Sequence, residues 1–100
     1  MCVLKPEEVS TRLITDDAIV EQGTCLLVAL SVCSDGGGVG DAQVYDGTHS
    51  AGKKILDVSI KDGGIEAPHF IPPILCQQGL YVVIGSNITS VTIRWVALRE

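Results

Sequence analysis

The sequence predicts an all-β fold, a small antiparallel β-sandwich of jelly-roll type with about seven or eight strands. Three observations predict it. First, 46% of the 100 residues are hydrophobic but only Tyr45, Phe70, Tyr81 and Trp95 are aromatic, so Val, Ile, Leu and Ala must fill the core. β-Branched side chains suit a pleated surface. Second, apolar residues recur with a period of two in segment after segment, and no stretch long enough for a helix carries an i, i+3, i+4 pattern. Third, clusters of Gly, Asp and Asn interrupt these segments about every ten residues, the spacing of turns in a sandwich. At this length the chain is one domain with a single modest core. It divides into an N-terminal arm over residues 1–9 and a sandwich over residues 10–100.

Each element follows in order. In EEVSTRLITDDAIVEQG, the pairs Leu13–Ile14 and Ile19–Val20 flank Asp16 and Asp17, a pattern open to two short strands or to one helical turn and a strand, of which two strands are the expectation. TCLLVALSVC (24–33) places Leu26, Val28, Leu30 and Val32 on one face and Cys25, Leu27, Ala29, Ser31 and Cys33 on the other. Apolar residues on both faces mark a central, covered strand. The glycine-rich SDGGGVGD turns the chain into a short strand, AQVYD. In KKILDVSIK, Leu56, Val58 and Ile60 alternate with Asp57, Ser59 and Lys61, a strand with one wet face. DGG at 62–64 is another turn. Pro68, Pro72 and Pro73 exclude a helix or a central strand from 65–76, leaving an edge strand or an extended crossover. Finally GLYVVIG and SVTIRWVAL flank Ser86 and Asn87, which predicts a hairpin whose last strand groups Val91, Ile93, Trp95 and Ala97 on one face. Asn87-Ile88-Thr89 also spells a glycosylation sequon, but Asn at this turn is explained by its tolerance of positive φ.

Charge and cysteine content narrow the function. Seven basic and twelve acidic residues give a formal charge of −5, the wrong sign for holding nucleic acid through its phosphates. No apolar run approaches a membrane span, and MCVLKPEE places Pro and two Glu where a secretion signal needs its apolar stretch, so a soluble protein made in a cytoplasm is expected. Cys2, Cys25, Cys33 and Cys76 lack the close spacing of zinc knuckles and redox pairs. Cys25 and Cys33 would lie roughly 26 Å apart on one strand, too far to bridge. Cys25, Cys33 and Cys76 therefore read as reduced core or near-core thiols, and Cys2 as part of a mobile terminus.

Catalytic signatures do not assemble. Gly47 to Lys54, GTHSAGKK, has the glycine-to-lysine spacing of a phosphate-binding loop. Such a loop needs Ser or Thr after the lysine and must open a helix, whereas Lys54 stands there and strand-patterned ILDVSI follows. It reads as a hairpin loop of small residues that binds no nucleotide. Gly36, Gly37, Gly38 and Gly40 have no surrounding βαβ unit to make a dinucleotide site. His49 and His69 are the only histidines, short of the set near a glutamate that a cupin-type metal site uses, and no G-x-S-x-G elbow presents a nucleophile. No catalytic, cofactor-binding or metal-ligating residue is assigned, no cofactor is expected, and the protein is read as a non-enzyme.

Two segments carry a resemblance. Tyr45, Asp46, Gly47, Thr48, Gly52 and Ile55 form a Y-D-G-T-x-x-x-G-x-x-I loop and strand. Gly79, Leu80, Tyr81, Val82, Gly85, Val91, Thr92, Ile93 and Trp95 form a late G-L-Y-V…G…V-T-I-x-W pattern. Over residues 10–96 the chain is similar to a group of small structural proteins of tailed bacteriophages. The cysteines and Pro72-Pro73 fall outside the shared pattern. The resemblance implies a compact sandwich in the virion: a head decoration (cement) protein, typically a homotrimer, bound to the major capsid protein on the outer capsid surface. It also implies an alternative, a neck, tail or host-surface-binding module. A lectin-like module would want exposed aromatics for stacking on sugars, and the four aromatics here fall mostly on strand faces. The sequence adds one physical point: both faces of strand 24–33 are apolar, and Val96 and Leu98 lie opposite the Val91, Ile93, Trp95 face, so part of this second apolar set needs a subunit partner or the shell to cover it.

Overall fold

The computed structural model describes residues 5–61 and 64–99. Cys2 and most of the turn expected at 62–64 lie outside the described residues. Among those described there are nine strands and no helix: β1 (Lys5–Ile14), β2 (Ala18–Gln22), β3 (Cys25–Ser34), β4 (Gly40–Asp46), β5 (Lys53–Ile60), β6 (Ile65–Glu66), β7 (His69–Cys76), β8 (Gly79–Ile84) and β9 (Ile88–Arg99). They form two antiparallel sheets packed as a small β-sandwich. The first sheet runs β1-β9-β3, with β6 and β7 sharing the far edge of β3, and the second runs β2-β8-β4-β5. The chain changes sheet at almost every connection. The exceptions are β6 and β7, which follow each other along β3, and β4 and β5, a hairpin paired from Gly40↔Ile60 to Asp46↔Lys53.

The inner faces of both sheets supply the core. Ile14, Cys25, Leu27, Leu30, Val32, Val91, Ile93 and Trp95 from the first sheet meet Ala42, Val44, Ile60, Leu80 and Val82 from the second, all buried. No polar or charged residue is buried among them. Aliphatic side chains fill this interior, and Trp95 reaches its edge, where its indole N–H donates to Glu21 Oε1 at 3.1 Å. That bond satisfies the one polar atom an indole brings into a core.

Several expectations hold. β3 is central, lying between β9 and β7, and β5 has one wet face. The N-terminal region makes two strands around the Asp16–Asp17 turn, and the proline-rich segment is an edge. β1 continues through residues 5–9, the stretch read as an arm, and pairs with the end of β9, Lys5 standing opposite Arg99.

Two expectations fail. The hairpin predicted for β8 and β9 does not form: β8 pairs with β2 and β4, while β9 pairs with β1 and β3. Each strand has an apolar face, and turning those faces toward each other across the sandwich buries both, whereas a hairpin would lay them side by side. Asn87 does adopt a positive φ of 59°, but its turn bonds outward. The amides of Ser86 and Gly85 donate to Asp41, and that of Asp35 donates to the Asn87 carbonyl. The face assignment of β3 also changes midway. A bulge between Leu27 and Ala29 inserts one residue, so Cys25 and Leu27 face the core before it and Leu30 and Val32 after it.

Candidate functional site

The outer faces of the two sheets differ in chemistry. On the β2-β8-β4-β5 sheet, Gln43 Nε2 donates to Asp41 Oδ2 at 3.2 Å and to Asp57 Oδ1 at 3.3 Å, tying β4 to β5. Beside this network Tyr45 and Tyr81, opposite each other in register, tilt together with ring centroids 6.4 Å apart. That face is mostly polar and internally bonded, with Ile19, opposite Tyr81, exposed on it.

The outer face of the other sheet is not. Cross-strand register aligns Val9, Val96, Leu26 and Leu75 in one apolar row across β1, β9, β3 and β7. Val9 is 56% exposed and Leu75 49%, while Val96 between them is buried. Four positions along β1 from Val9, Leu13 is 63% exposed, and Ile65 on β6 adds another open side chain opposite Cys33. Four of the seven large exposed hydrophobics among the described residues therefore share this one face. Between the apolar positions runs a second row, Thr11, Arg94, Ala29 and His69. Ala29 leaves a dip there, and Ala29, Leu30, Ser31, Ala67, His69, Thr92 and Arg94 line an open pocket of about 300 Å³. The predicted second apolar set is present: Val96 and Leu98 project from this side of β9 beside Leu26 on β3, joined by Val9 and Leu75 that sequence reasoning did not group with them. Only the register, which pairs residues far apart in the chain, brings them together.

The candidate motifs of the sequence lie elsewhere. Residues 47–52 of GTHSAGKK connect β4 to β5 as the hairpin loop expected. His49 Nδ1 accepts the Ala51 amide at 3.2 Å and Lys54 pairs with Asp57 at 3.5 Å. His49 lies in that loop, whereas His69 opens β7 on the other sheet. Among the described residues no group of three His, Cys, Asp or Glu side chains is placed to hold a metal ion, and no helix is long and apolar enough to cross a membrane. None of Cys25, Cys33 and Cys76 is in a disulfide; Cys25 and Cys76 are fully buried and Cys33 is half-buried on the outer side. No family model, curated protein or solved structure matches this chain.

Proposed function

We propose that this protein is a non-enzymatic structural component of a tailed-phage virion, a head decoration protein that binds the outer capsid surface as a homotrimer and stabilises the junctions between capsomers. The jelly-roll description is part of the same reading. The observation that carries it is the asymmetry of the sandwich. One outer face holds a cross-strand apolar row whose end members, Val9 and Leu75, are exposed, with Leu13 and Ile65 exposed on the same face, and the other face is mostly polar and hydrogen-bonded within itself. A face of this kind is covered in the working state, by a second copy, by the shell, or by both in different parts. The polar face then meets solvent, and a formal charge of −5 suits the outside of a particle better than contact with packaged DNA. The word capsid comes from the phage resemblance of residues 10–96, and the need for a partner comes from the face.

Sedimentation of the purified protein, followed by binding to expanded capsids lacking it, tests both halves. The wild-type chain is expected to sediment as a trimer and bind. A Val9→Glu/Leu75→Glu variant, altered only at exposed positions, is expected to stay folded and lose at least one of these properties. A stable monomer with no affinity for such capsids at micromolar concentration would move the reading to a neck, tail or host-surface module, with Tyr45 and Tyr81 as the first contact to mutate.

A further inference from the structure

We propose that Cys25 and Cys76 form a modification site: a peroxide oxidant joins them in an intramolecular disulfide that staples the edge strand β7 to the central strand β3. The two residues stand directly opposite each other in the antiparallel β3–β7 pairing. Opposed residues in such a ladder have Cα atoms about 4.5 or 5.5 Å apart, and both distances fall in the range a disulfide spans. Both side chains point into the core and are fully buried. Cys33 is different: its register partners are Ile65 and Ser90, neither of them a cysteine.

The thiols already touch. A hydrogen bond with Cys25 is the largest cause holding the Cys76 thiol protonated well above the ordinary thiol range, followed by desolvation and by the charges of Cys25 and Asp46. The Cys76 thiol also donates to the Ile74 carbonyl at 4.0 Å. A protonated, buried thiol is a poor nucleophile, so the closed protein resists oxidation. Access comes from β7. This strand pairs only with β3, and its register runs from Ile74 to Cys76 and resumes only at His69. Between those points Pro72 and Pro73 have no amide hydrogen to donate, and Ile71 is 94% exposed. Such a segment opens more readily than the core strands.

Once β7 lifts, the chemistry balances with hydrogen peroxide as oxidant. The thiolate of one cysteine attacks a peroxide oxygen, the O–O bond breaks, and the departing hydroxide is protonated to water, leaving a sulfenic acid. The second sulfur attacks the first, the S–O bond breaks, and the hydroxide leaves as water with the proton of the second thiol. The two thiols lose two electrons and two protons, and the peroxide becomes two waters. The bond closes a loop of about fifty residues between positions 25 and 76, which restricts the unfolded chain strongly.

A Cys2→Ser/Cys33→Ser variant leaves this pair as the only thiols. Reduced, treated with hydrogen peroxide and quenched, it is expected to lose two hydrogens by intact mass. Peptide mapping should join the segments holding Cys25 and Cys76, the unfolding midpoint should rise by about 5 °C or more, and dithiothreitol should reverse all three changes. Mild urea should accelerate the reaction. Added oxygen without a crosslink, covalent dimers, or an unaltered mass at a urea concentration where iodoacetamide labels both thiols would overturn the proposal. A crosslinked product with a lower midpoint would overturn the staple. Should the double variant not fold, the same mapping on the wild-type chain decides, since a Cys25–Cys76 peptide pair is required there too.

Discussion

Asp46 holds two successive backbone amides across the molecule, those of Gln77 at 3.0 Å and Gln78 at 2.8 Å. Asp17 accepts the Ile84 amide and Asp41 the Ser86 amide, each at 2.8 Å. Three of the acidic residues that the sequence offered only as net charge thus satisfy amides where strands begin or end. Nothing local announces this, because each partner lies more than thirty positions away. Replacing Asp46 with Ala is expected to lower stability by about 1–2 kcal/mol, toward the lower end for charge-assisted bonds because solvent reaches the site. Urea unfolding followed by the fluorescence of Trp95, the one tryptophan, measures it. The Cys76 thiol gives a pH dependence. Its folded pKa is raised above the unfolded value of 9.0, so the unfolded state ionises first. The contribution is intact below about pH 9 and is lost as pH rises, at up to about 1.4 kcal/mol per unit for this group. Urea midpoints for wild type and Cys76→Ala should converge between pH 8 and pH 10. Burial of Cys25 and Cys76 was legible in their apolar runs; that they oppose each other was not, since register between distant strands is set by the whole sheet.

At the scale of the element, the turn at Ser86–Asn87 separates what local chemistry decides from what it leaves open. Asn at positive φ serves a hairpin and a crossing between sheets equally well, so the sequence places a tight turn there without saying which. The choice falls to the partners: β2 and β4 take β8, and β1 and β3 take β9. Asn87→Ala is expected to cost about 1–2 kcal/mol, from the left-handed backbone together with the lost Nδ2 bond to the Val39 carbonyl at 3.1 Å. Asn87→Gly removes only the second part and should lie between wild type and Ala in thermal denaturation. The β4–β5 hairpin was legible because its loop is short and its strands are sequence neighbours. The edge position of β7 was legible because proline cannot serve a two-sided ladder. The bulge in β3 was invisible, since LLVAL alternates equally well with or without an extra residue.

For the whole molecule, the all-β class followed from composition and periodicity, and the second apolar face was visible at Val96 and Leu98 before any strand was placed. Its extent was not, because Val9 and Leu75 join it only through pairing. The longest dimension, 51 Å against 25 and 18 Å, runs through a sandwich whose first and last strands, β1 and β9, are neighbours over most of their length. Lys5 and Arg99 stand opposite each other at the end of that pairing. Peptides fused ahead of Lys5 and behind Arg99 would therefore leave from a single corner, which makes the sandwich a natural insert for a surface loop of a host protein. The same adjacency permits circular permutation. A few-residue linker can join Arg99 to Lys5, and new ends can be opened at the exposed Ser50–Ala51 in the β4–β5 loop, with every strand keeping its neighbours.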